Sequence, residues 1–448
     1  MPNSILSDRL PSISEAGVAK TGSIRCEQAS LSGSVSQRAC VYCGARVVLN
    51  PITDAFHLVH GPIGCASYTW DIRGSLSSGS DLYRHSFSTD LNERDVIFGG
   101  AQKLQRAIDE INERYHPPVI FIYSTCLVGV IGDDVEAICR EAEKKYAIRV
   151  INVQAPGFSG HKSLGYRLAG EALIKLIEPH GGRPKVKAIN ILGDYNLAGE
   201  IWIIKNYFKA MGIEVLSTFT GDASYETLIK SPRASLNIVQ CAGSMVSLAE
   251  KMEERFGIPY VTLSFFGLDD ASSALFKVSD LLGDEAVRKR TKEIVAIESL
   301  KTKNNIKPYL PRLKGKKAAI FVGGGFKAIS LVRQFKALGM ETVLVGTQTG
   351  TKEDYEILGS LLHPSAVILD DANPAELEAF MAKRGADILV GGVKERPLAY
   401  KMGIAFCDHN HERRHPLAGF VGVENFTREI DRSINSPVWA MARNDCPF

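Results

Sequence analysis

The chain has 448 residues, of which 45% are hydrophobic and 23% charged, a balance that excludes a wholly disordered protein. Its 53 Lys and Arg residues nearly cancel its 50 Asp and Glu residues, so the net charge of +3 predicts neither a nucleic-acid nor a membrane partner. No apolar run approaches the ~20 residues of a bilayer span, and the first residues do not resemble a secretory signal. We therefore expect a cytoplasmic protein. Its nine cysteines are too sparse for a disulfide scaffold.

The segment 1–36 is rich in Ser, Gly and Ala without a sustained apolar period, which predicts a flexible N-terminal arm. From Cys40 onward, apolar runs of strand length alternate with helix-length segments. The predicted strands are 118–125, 149–154, 187–192, 236–240, 318–322, 341–345, 366–369, 387–390 and 403–406, with a helix over about 133–146 after the first. Runs that are apolar on both faces are typical of parallel sheets covered on each side.

We therefore predict an α/β protein of three doubly wound, Rossmann-like parallel-sheet domains around a central metal-cluster cleft. Gly and Pro near residue 184, and a Lys- and Pro-containing stretch over 301–317, mark the expected boundaries. The predicted domains are 37–184 with several cysteines, 185–305 with one strand-end cysteine, and 306–448 with a glycine-rich turn and the C-terminal segment.

Ligands of open α/β sheets bind at the carboxyl ends of the strands. The residues that follow the predicted strands there are Cys126, Cys241, Gly323–Gly325 with Lys327, Gly391 and Gly392, and Cys407 with Asp408. The glycine turn fits the dinucleotide pattern only formally, because no acidic residue for a ribose follows the next strand. Glycine amides beside a lysine favour an anion cradle instead. We expect these features to converge on a soft, bulky, anionic ligand.

Cys40 and Cys43 have the C-x2-C spacing that suits zinc, an iron–sulfur cluster or a redox dithiol, and two unrelated thiols are the plain alternative. Cys65 follows a Gly-Pro-Ile-Gly turn, where backbone N–H groups can bond to a sulfide. Together with Cys126 this gives three isolated thiols, whereas a cubane cluster needs four ligands. Cys43, a non-protein or oxygen ligand, or a partner chain would supply the fourth.

A polar run with three histidines, Phe406–His415, follows the last predicted strand. His409 and His411 are compatible with metal ligation, although a solvated loop is the simpler interpretation of each. His57 and His60 are expected to be structural, around a helix-like segment. Cys139 and Cys446 are expected to have no role in ligation.

Several ordered motifs resemble the nitrogenase component 1 family, from about residue 38 to 440. They are Cys40–Arg46, Pro51–Cys65, Trp70–Gly79, Ser88–Leu91, Tyr123–Cys126, Gly132–Asp134, Gly165–Glu171, Gly193–Glu200, Asn410–Arg413 and Pro437–Trp439. Within this family the chain is most similar to the alpha-like subunit of the cofactor-maturation scaffolds.

The resemblance implies a set of site residues. It places Cys40, Cys65 and Cys126 on an iron–sulfur cluster at a subunit interface, either a 4Fe–4S cluster or a P-cluster-like one, with the missing ligand from a beta-like partner. Cys241 would anchor a large iron–sulfur cofactor of the iron-molybdenum type or its precursor. Other residues would surround that cofactor, namely Arg73, Gly324, Gly325 and Lys327.

Two departures from the catalytic members indicate a scaffold. Tyr166 aligns with a histidine near the reacting face, and a phenol cannot do the proton transfer of an imidazole near neutral pH. Asn410 aligns with the histidine that ligates the far end of the cofactor, and an amide is a poor ligand for a soft metal. A one-residue shift would restore an imidazole through His409 or His411. The alternative is therefore a catalytic alpha-like subunit of a nitrogenase-like reductase, such as a methylthio-alkane reductase, with ATP-dependent electron delivery.

The resemblance also implies a set of partners. They are a beta-like NifN-type subunit in an α2β2 heterotetramer, a NifH-type reductase protein, a cluster donor and an apo-nitrogenase acceptor. Such an assembly would hold the cofactor precursor while molybdenum and homocitrate are added.

Overall fold

The computed structural model describes residues 7–20, 22–26, 39–70, 76–77, 85–182, 185–410 and 412–439. They form two compact units. One unit combines Ala39–Lys209 with Ile213–Thr262, and the other combines Ala210–Gly212 with the described residues of Met1–Arg38 and Leu263–Phe448. In these ranges, no helix has both the length and the apolar character that crossing a bilayer requires.

The strands form three sheets whose pairs are parallel, apart from one edge strand. The described strands are β1 (Ile13–Glu15), β2 (Ala55–His60), β3 (Ser86–Ser88), β4 (Val119–Ser124), β5 (Arg149–Gln154), β6 (Ala188–Asp194), β7 (Glu214–Thr220), β8 (Leu236–Val239), β9 (Tyr260–Thr262), β10 (Lys317–Val322), β11 (Glu341–Thr347), β12 (Val367–Asp370), β13 (Ile388–Gly391) and β14 (Ala405–Asp408). Their orders are β3-β2-β4-β5, β7-β6-β8-β9 and β1-β12-β11-β10-β13-β14, with β1 antiparallel to β12. The predicted α/β class with parallel-sheet domains is confirmed.

Helices connect the parallel strands, as the crossover geometry requires. The described helices are α1 (Ala16–Ala19), α2 (Val41–Leu49), α3 (Ile63–Trp70), α4 (Glu93–Phe98), α5 (Ala101–Tyr115), α6 (Cys126–Ile131), α7 (Val135–Tyr146), α8 (Lys162–Ile177), α9 (Glu200–Met211), α10 (Tyr225–Leu228), α11 (Ala242–Phe256), α12 (Leu268–Leu282), α13 (Glu285–Ile306), α14 (Leu310–Leu313), α15 (Gly325–Ala337), α16 (Lys352–Leu361), α17 (Pro374–Arg384), α18 (Arg396–Lys401) and α19 (Gly419–Ile434). The predicted helix near 133–146 is α7, which begins where the Asp134 side chain accepts a hydrogen bond from the Ala137 N–H.

Strand β4 shows why the apolar runs predicted buried sheets. All six of its residues are buried. Phe121 and Tyr123 belong to the core cluster that includes residues of α2 and α8. Ile120 and Ile122 point to the opposite face and pack with residues of α5 and α7. A strand covered on both faces has no polar side to alternate with, so its sequence is continuously apolar.

Two glycines allow α2 and α8 to approach each other closely. A Cβ at Gly44 would overlap the backbone carbonyl of Lys162, and a Cβ at Gly165 would lie 2.6 Å from the Ala45 nitrogen and 2.8 Å from the Gly44 Cα. The two helix backbones therefore touch, with no room for any side chain between them. This contact fixes the start of α2, where Cys40 lies, against the start of α8.

Some sequence expectations differ from the structure. The N-terminal arm was expected to be flexible, but Ile13–Glu15 forms β1 and pairs with Val367–Leu369 of β12. The segment around His57 and His60 was expected to be helix-like, but it is strand β2. Cys407 was expected to follow its strand, but it lies inside β14 and is buried. The predicted boundaries at 184/185 and 305/306 stay predictions.

Candidate metal-cluster site

Three of the predicted cysteines lie at helix beginnings beside the first sheet. Cys126 is the first residue of α6, with Thr125 between it and the end of β4, and Cys65 is in the first turn of α3, after β2. Cys40 precedes α2 and forms an isolated antiparallel bridge with His161, which precedes α8. Because β2 and β4 are parallel neighbours, Cys65 and Cys126 lie at the same carboxyl edge of the sheet.

A hydroxyl joins the two loops that carry Cys65 and Cys126. The Thr125 hydroxyl donates a hydrogen bond of 3.0 Å to the carbonyl oxygen of His60. It also fills the space that a Cβ at Gly61 would occupy. The Gly-Pro turn before Cys65 therefore needs its glycine for packing against Thr125. This contact sets the position of α3 relative to α6.

Gly157 lies between Cys126 and Cys40. Its N–H donates a hydrogen bond of 3.0 Å to the Cys126 sulfur. A Cβ at this position would lie 3.0 Å from the Cys126 Sγ and 3.5 Å from the Cys40 Sγ. An N–H donor aimed at a cysteine sulfur stabilises a thiolate and tunes a cluster bound to it. The sequence analysis did not identify Gly157 as a donor, although a glycine just after a strand end is the signal that could have found it.

The ionisation of Cys65 links the three thiols electrostatically. Burial raises the pKa of the Cys65 thiol above its ordinary value, and the nearby Cys126 and Cys40 raise it further. Thiolates repel one another, so three ionised sulfurs at one edge need a positive ion between them. A bound iron–sulfur cluster would supply that charge, and ligation would release the Cys65 proton.

The chemistry of the donor set fits an iron–sulfur cluster. Soft thiolates are the usual ligands of such clusters, and N–H donors to the sulfurs tune them. Cys40 and Cys65 are partly exposed, Cys126 is exposed, and the Gly157 N–H donates to the Cys126 sulfur.

Two further thiols near the first sheet, Cys43 and Cys139, are buried. Cys43 lies on α2, one turn after Cys40, and is 2% exposed. Cys139 is buried in α7, where burial raises its pKa to about 12. A thiol that is so hard to ionise is a poor ligand. Cys446 lies outside the described residues.

Cys241 lies at the carboxyl edge of the second sheet. It directly precedes α11 and is half-buried. Gly193 in β6 has a φ of 93°, and a Cβ there would lie 2.8 Å from the Cys241 Cβ, so the strand must be glycine at this point. The neighbouring Gln240 is 6% exposed, and its amide oxygen and nitrogen both lack a hydrogen-bond partner within the described chain.

The glycine-rich turn precedes α15 at the carboxyl end of β10. Gly324 is the residue before the helix, and Gly325 is its first residue. A Cβ at Gly325 would lie 2.5 Å from the Asp354 Cγ, so the turn packs tightly on that side chain. The Lys327 ammonium is 3.4 Å from the His409 carbonyl oxygen and 5.8 Å from the centre of the Phe266 ring.

His409 and Asn410 follow β14 and share this edge of the third sheet with Lys327. His409 is fully buried, and in the described structure both of its ring nitrogens lack a hydrogen-bond partner. Burial, with added repulsion from Lys327 and Arg413, holds its pKa well below the ordinary value, so the ring is neutral. The Asn410 side-chain oxygen also lacks a partner.

Neutral imidazole is the form that ligates metals. The structure thus places Lys327, His409 and Asn410 together. Two of the predicted residues, Arg73 and His411, lie outside the described residues. Tyr166 is on α8 in the other unit, is 8% exposed, and has the Lys162 ammonium 5.9 Å from the centre of its ring.

Comparisons with known proteins identify relatives of this chain. The family model described as "nitrogenase component 1 type oxidoreductase" matches residues 40–435. A protein of Clostridium pasteurianum called "nitrogenase iron-molybdenum cofactor biosynthesis protein NifE" is 65% identical over 418 residues, covering 93% of this chain and 92% of that protein.

Proteins with the same name show 52% identity in Methanosarcina barkeri, over 93% of both chains, and 42% in Rippkaea orientalis, over 94% of this chain and 90% of that one. The solved structure "Nitrogenase Cp1 at pH 5" has a TM-score of 0.90 and 29% identity, covering 99% of this chain and 98% of its own.

Proposed function

This chain belongs to the nitrogenase component 1 type oxidoreductase family, and from that premise we propose that it is a scaffold subunit for biosynthesis of the nitrogenase iron-molybdenum cofactor. It holds an iron–sulfur precursor while that precursor matures. The observation that carries the proposal is the set of strand-end thiols in a chain that is 65% identical, over 93% of its length, to a protein named for cofactor biosynthesis.

Cys40, Cys65 and Cys126 hold the cluster at the subunit interface. Their support is the N–H of Gly157 on the Cys126 sulfur and the shared electrostatics of the three thiols. A bound cluster supplies the positive charge that lets these sulfurs ionise together. A beta-like NifN-type subunit supplies the remaining ligand in an α2β2 assembly, because three cysteines leave a cubane cluster one ligand short.

The precursor is the cargo of the scaffold, and Cys241 holds one end of it. Gly193 keeps the space beside Cys241 free of a side chain, and the unpartnered Gln240 amide offers hydrogen bonds to sulfides. Gly324, Gly325 and Lys327 supply backbone N–H groups and a positive charge. We also assign Arg73 to the cofactor surroundings from the family motif.

The far end of the cargo is held weakly, which suits a protein that must release it. Asn410 offers an amide oxygen rather than an imidazole, and Tyr166 stands where the catalytic members have a proton-transferring histidine. His409 is the imidazole described at this edge, and His411 follows it two residues later in sequence. The shared name of the relatives favours the scaffold over a nitrogenase-like reductase. A NifH-type reductase protein, a cluster donor and apo-nitrogenase complete the cytoplasmic system.

The test is anaerobic purification of the chain with its beta-like partner, followed by iron analysis and electron paramagnetic resonance. We expect Cys241→Ala to lose the larger cluster and keep the interface one, and Cys65→Ala to lose the signal of the interface cluster. Cys26→Ala is the matched control, because Cys26 lies in the other compact unit from the four cysteines proposed as ligands.

A second measurement separates scaffold from reductase. The loaded scaffold is expected to transfer its cluster to apo-nitrogenase and to show little substrate turnover with the reductase protein and ATP. Unchanged iron content in Cys241→Ala would contradict the assigned anchor. Efficient turnover without cluster transfer would contradict the scaffold role.

A further inference from the structure

Arg46 is a buried cation outside the proposed cluster ligands. It lies on α2, and its side chain is 2% exposed. One of its terminal nitrogens, Nη2, donates a hydrogen bond of 2.6 Å to the Ser86 hydroxyl, and the guanidinium lies 5.4 Å from the centre of the Tyr123 ring. Within the described chain, its Nε and Nη1 atoms have no hydrogen-bond partner.

The side chains that contact Arg46 in the described structure do not neutralise it. Ser86 and Tyr123 are uncharged, and burial raises the pKa of the Tyr123 phenol far above its ordinary value. His57 is fully buried with its Nδ1 2.9 Å from the Tyr123 hydroxyl. Burial, and then the positive charge of Arg46, hold the pKa of His57 well below its ordinary value. Removing an ion from water costs several kcal/mol, so an isolated guanidinium in this place calls for an anion.

Arg46 lines a cavity of about 330 Å³. Its described lining includes Arg46, the hydroxyl residues Ser67, Ser86 and Ser88, and the apolar residues Val59 and Ala66. Val59 and Ser88 face each other near the carboxyl ends of β2 and β3. This is the edge of a parallel sheet at which ligands bind.

We propose that the Arg46 cavity is a binding site for a small oxyanion. Arg46, on the cavity wall, carries a positive charge and N–H groups whose geometry matches the oxygens of a carboxylate or a tetrahedral anion, and charge-assisted bonds of this kind are stronger than neutral ones. The serine hydroxyls that line the cavity add hydrogen-bond donors, which suit a carboxylate and a tetrahedral anion equally. Molybdate, sulfate and citrate share this chemistry. The site does not depend on the proposed scaffold function, since none of its residues is assigned to a cluster.

The test is equilibrium dialysis of the full-length chain, first freed of bound anions, against molybdate, sulfate and citrate separately at constant ionic strength. We expect saturable binding of one anion per chain for at least one of the three. Arg46→Gln should weaken that binding by about 10- to 100-fold, the effect of lost charge-assisted hydrogen bonds. Arg106→Gln, which removes an exposed arginine of the same unit, should leave it unchanged.

A thermal melt separates loss of the site from loss of the fold. The bound anion should raise the melting midpoint of the original chain, because it binds only the folded state. Without anion, Arg46→Met should melt no lower than the original, since an apolar replacement removes an unpaired buried charge. With anion, its midpoint should not rise. Ser86→Ala, which leaves the guanidinium in place but without its anchor, should weaken binding less than Arg46→Gln.

The anion that binds most tightly identifies the class of ligand. Saturable binding of molybdate, of sulfate or of citrate would each support the site. Absence of saturable binding for all three would overturn the proposal. Equal losses in Arg46→Gln and Arg106→Gln would also overturn it, because that result describes a diffuse charge effect. Since the cysteines are intact in every variant, the iron content should stay the same, and this distinguishes failure here from failure of the scaffold proposal.

Discussion

The contact between α2 and α8 gives a sharp test of how the cluster site is positioned. In Gly165→Ala the new methyl group would lie 2.6 Å from the Ala45 nitrogen, whereas ordinary contact begins at 3.4 Å. The methyl group would also overlap the Val41 carbonyl oxygen, so the helices would have to separate by more than about 0.8 Å, and the obstructing atoms are backbone that cannot rotate away. Overpacking of this kind typically costs ~1–3 kcal/mol, and we expect the upper end of that range.

The same helix provides the matched control. In Gly170→Ala the new Cβ would lie 3.5 Å from the Leu248 Cβ, an ordinary van der Waals contact. Alanine in a helix interior is favoured over glycine by about 0.5–1 kcal/mol. The two substitutions are chemically identical and only five residues apart on α8, so they should change stability in opposite directions.

The assay is thermal unfolding followed by circular dichroism, together with the iron content of the anaerobically purified complex. With a shift of about 2–4 °C per kcal/mol for units of this size, Gly165→Ala should lower the midpoint by roughly 6–12 °C, and Gly170→Ala should raise it slightly. Gly165→Ala should also lose iron from the interface cluster, because α2 carries Cys40. Equal midpoints for the two variants, or full iron content in Gly165→Ala, would refute the argument that this contact positions Cys40.

Three further changes test other parts of the structure. Gly157→Ala should lower the iron content of the interface cluster with little effect on the melting midpoint, because its Cβ would press on the Cys126 sulfur. An iron content equal to the original would argue against a role of Gly157 at the cluster. Arg9→Ala should lower the free energy of unfolding by about 3–5 kcal/mol, because it leaves the buried carboxylate of Glu376 without its ion-pair partner. In a denaturation series, the double variant with Glu376→Gln should recover part of that loss. Lowering the pH from 7.5 to 5.5 should reduce stability, because the unfolded chain protonates His57 near its ordinary pKa while the folded chain does not. In His57→Gln the free energy of unfolding should depend less steeply on pH, by up to about 1.4 kcal/mol per pH unit. An unchanged dependence of stability on pH would contradict a buried, neutral His57 ring.

The sequence determined the architecture wherever burial on both faces left an uninterrupted apolar run. Strands β4, β5, β8 and β10 were predicted to within one residue at each end, because a strand in a covered parallel sheet needs no polar alternation. The thiols were identifiable for a similar local reason. Cys126 and Cys241 come directly after such strands, and Cys65 follows a Gly-Pro turn, so their places at the ligand edge follow from chain order alone.

Other strands carry no such signal. Strand β1 has three residues, Ile13–Glu15, and exists because the edge of β12 offers hydrogen bonds to it. Strand β7 mixes Ser and Thr with apolar residues, so its sequence shows no clear alternation of apolar and polar residues. A short or mixed strand acquires its structure from its partner, and the partner lies far away along the chain.

Contacts across long sequence separations were decided only by the tertiary structure. Gly157 lies 31 residues from Cys126 in sequence, and its N–H bonds to that sulfur because β4 and β5 are neighbours. Arg46 looks in sequence like an ordinary helix residue, and its burial beside Ser86 and a cavity follows from the packing of α2 on the sheet. Local sequence encodes which backbone each segment prefers, whereas desolvation and hydrogen bonding depend on which distant segments fold against it.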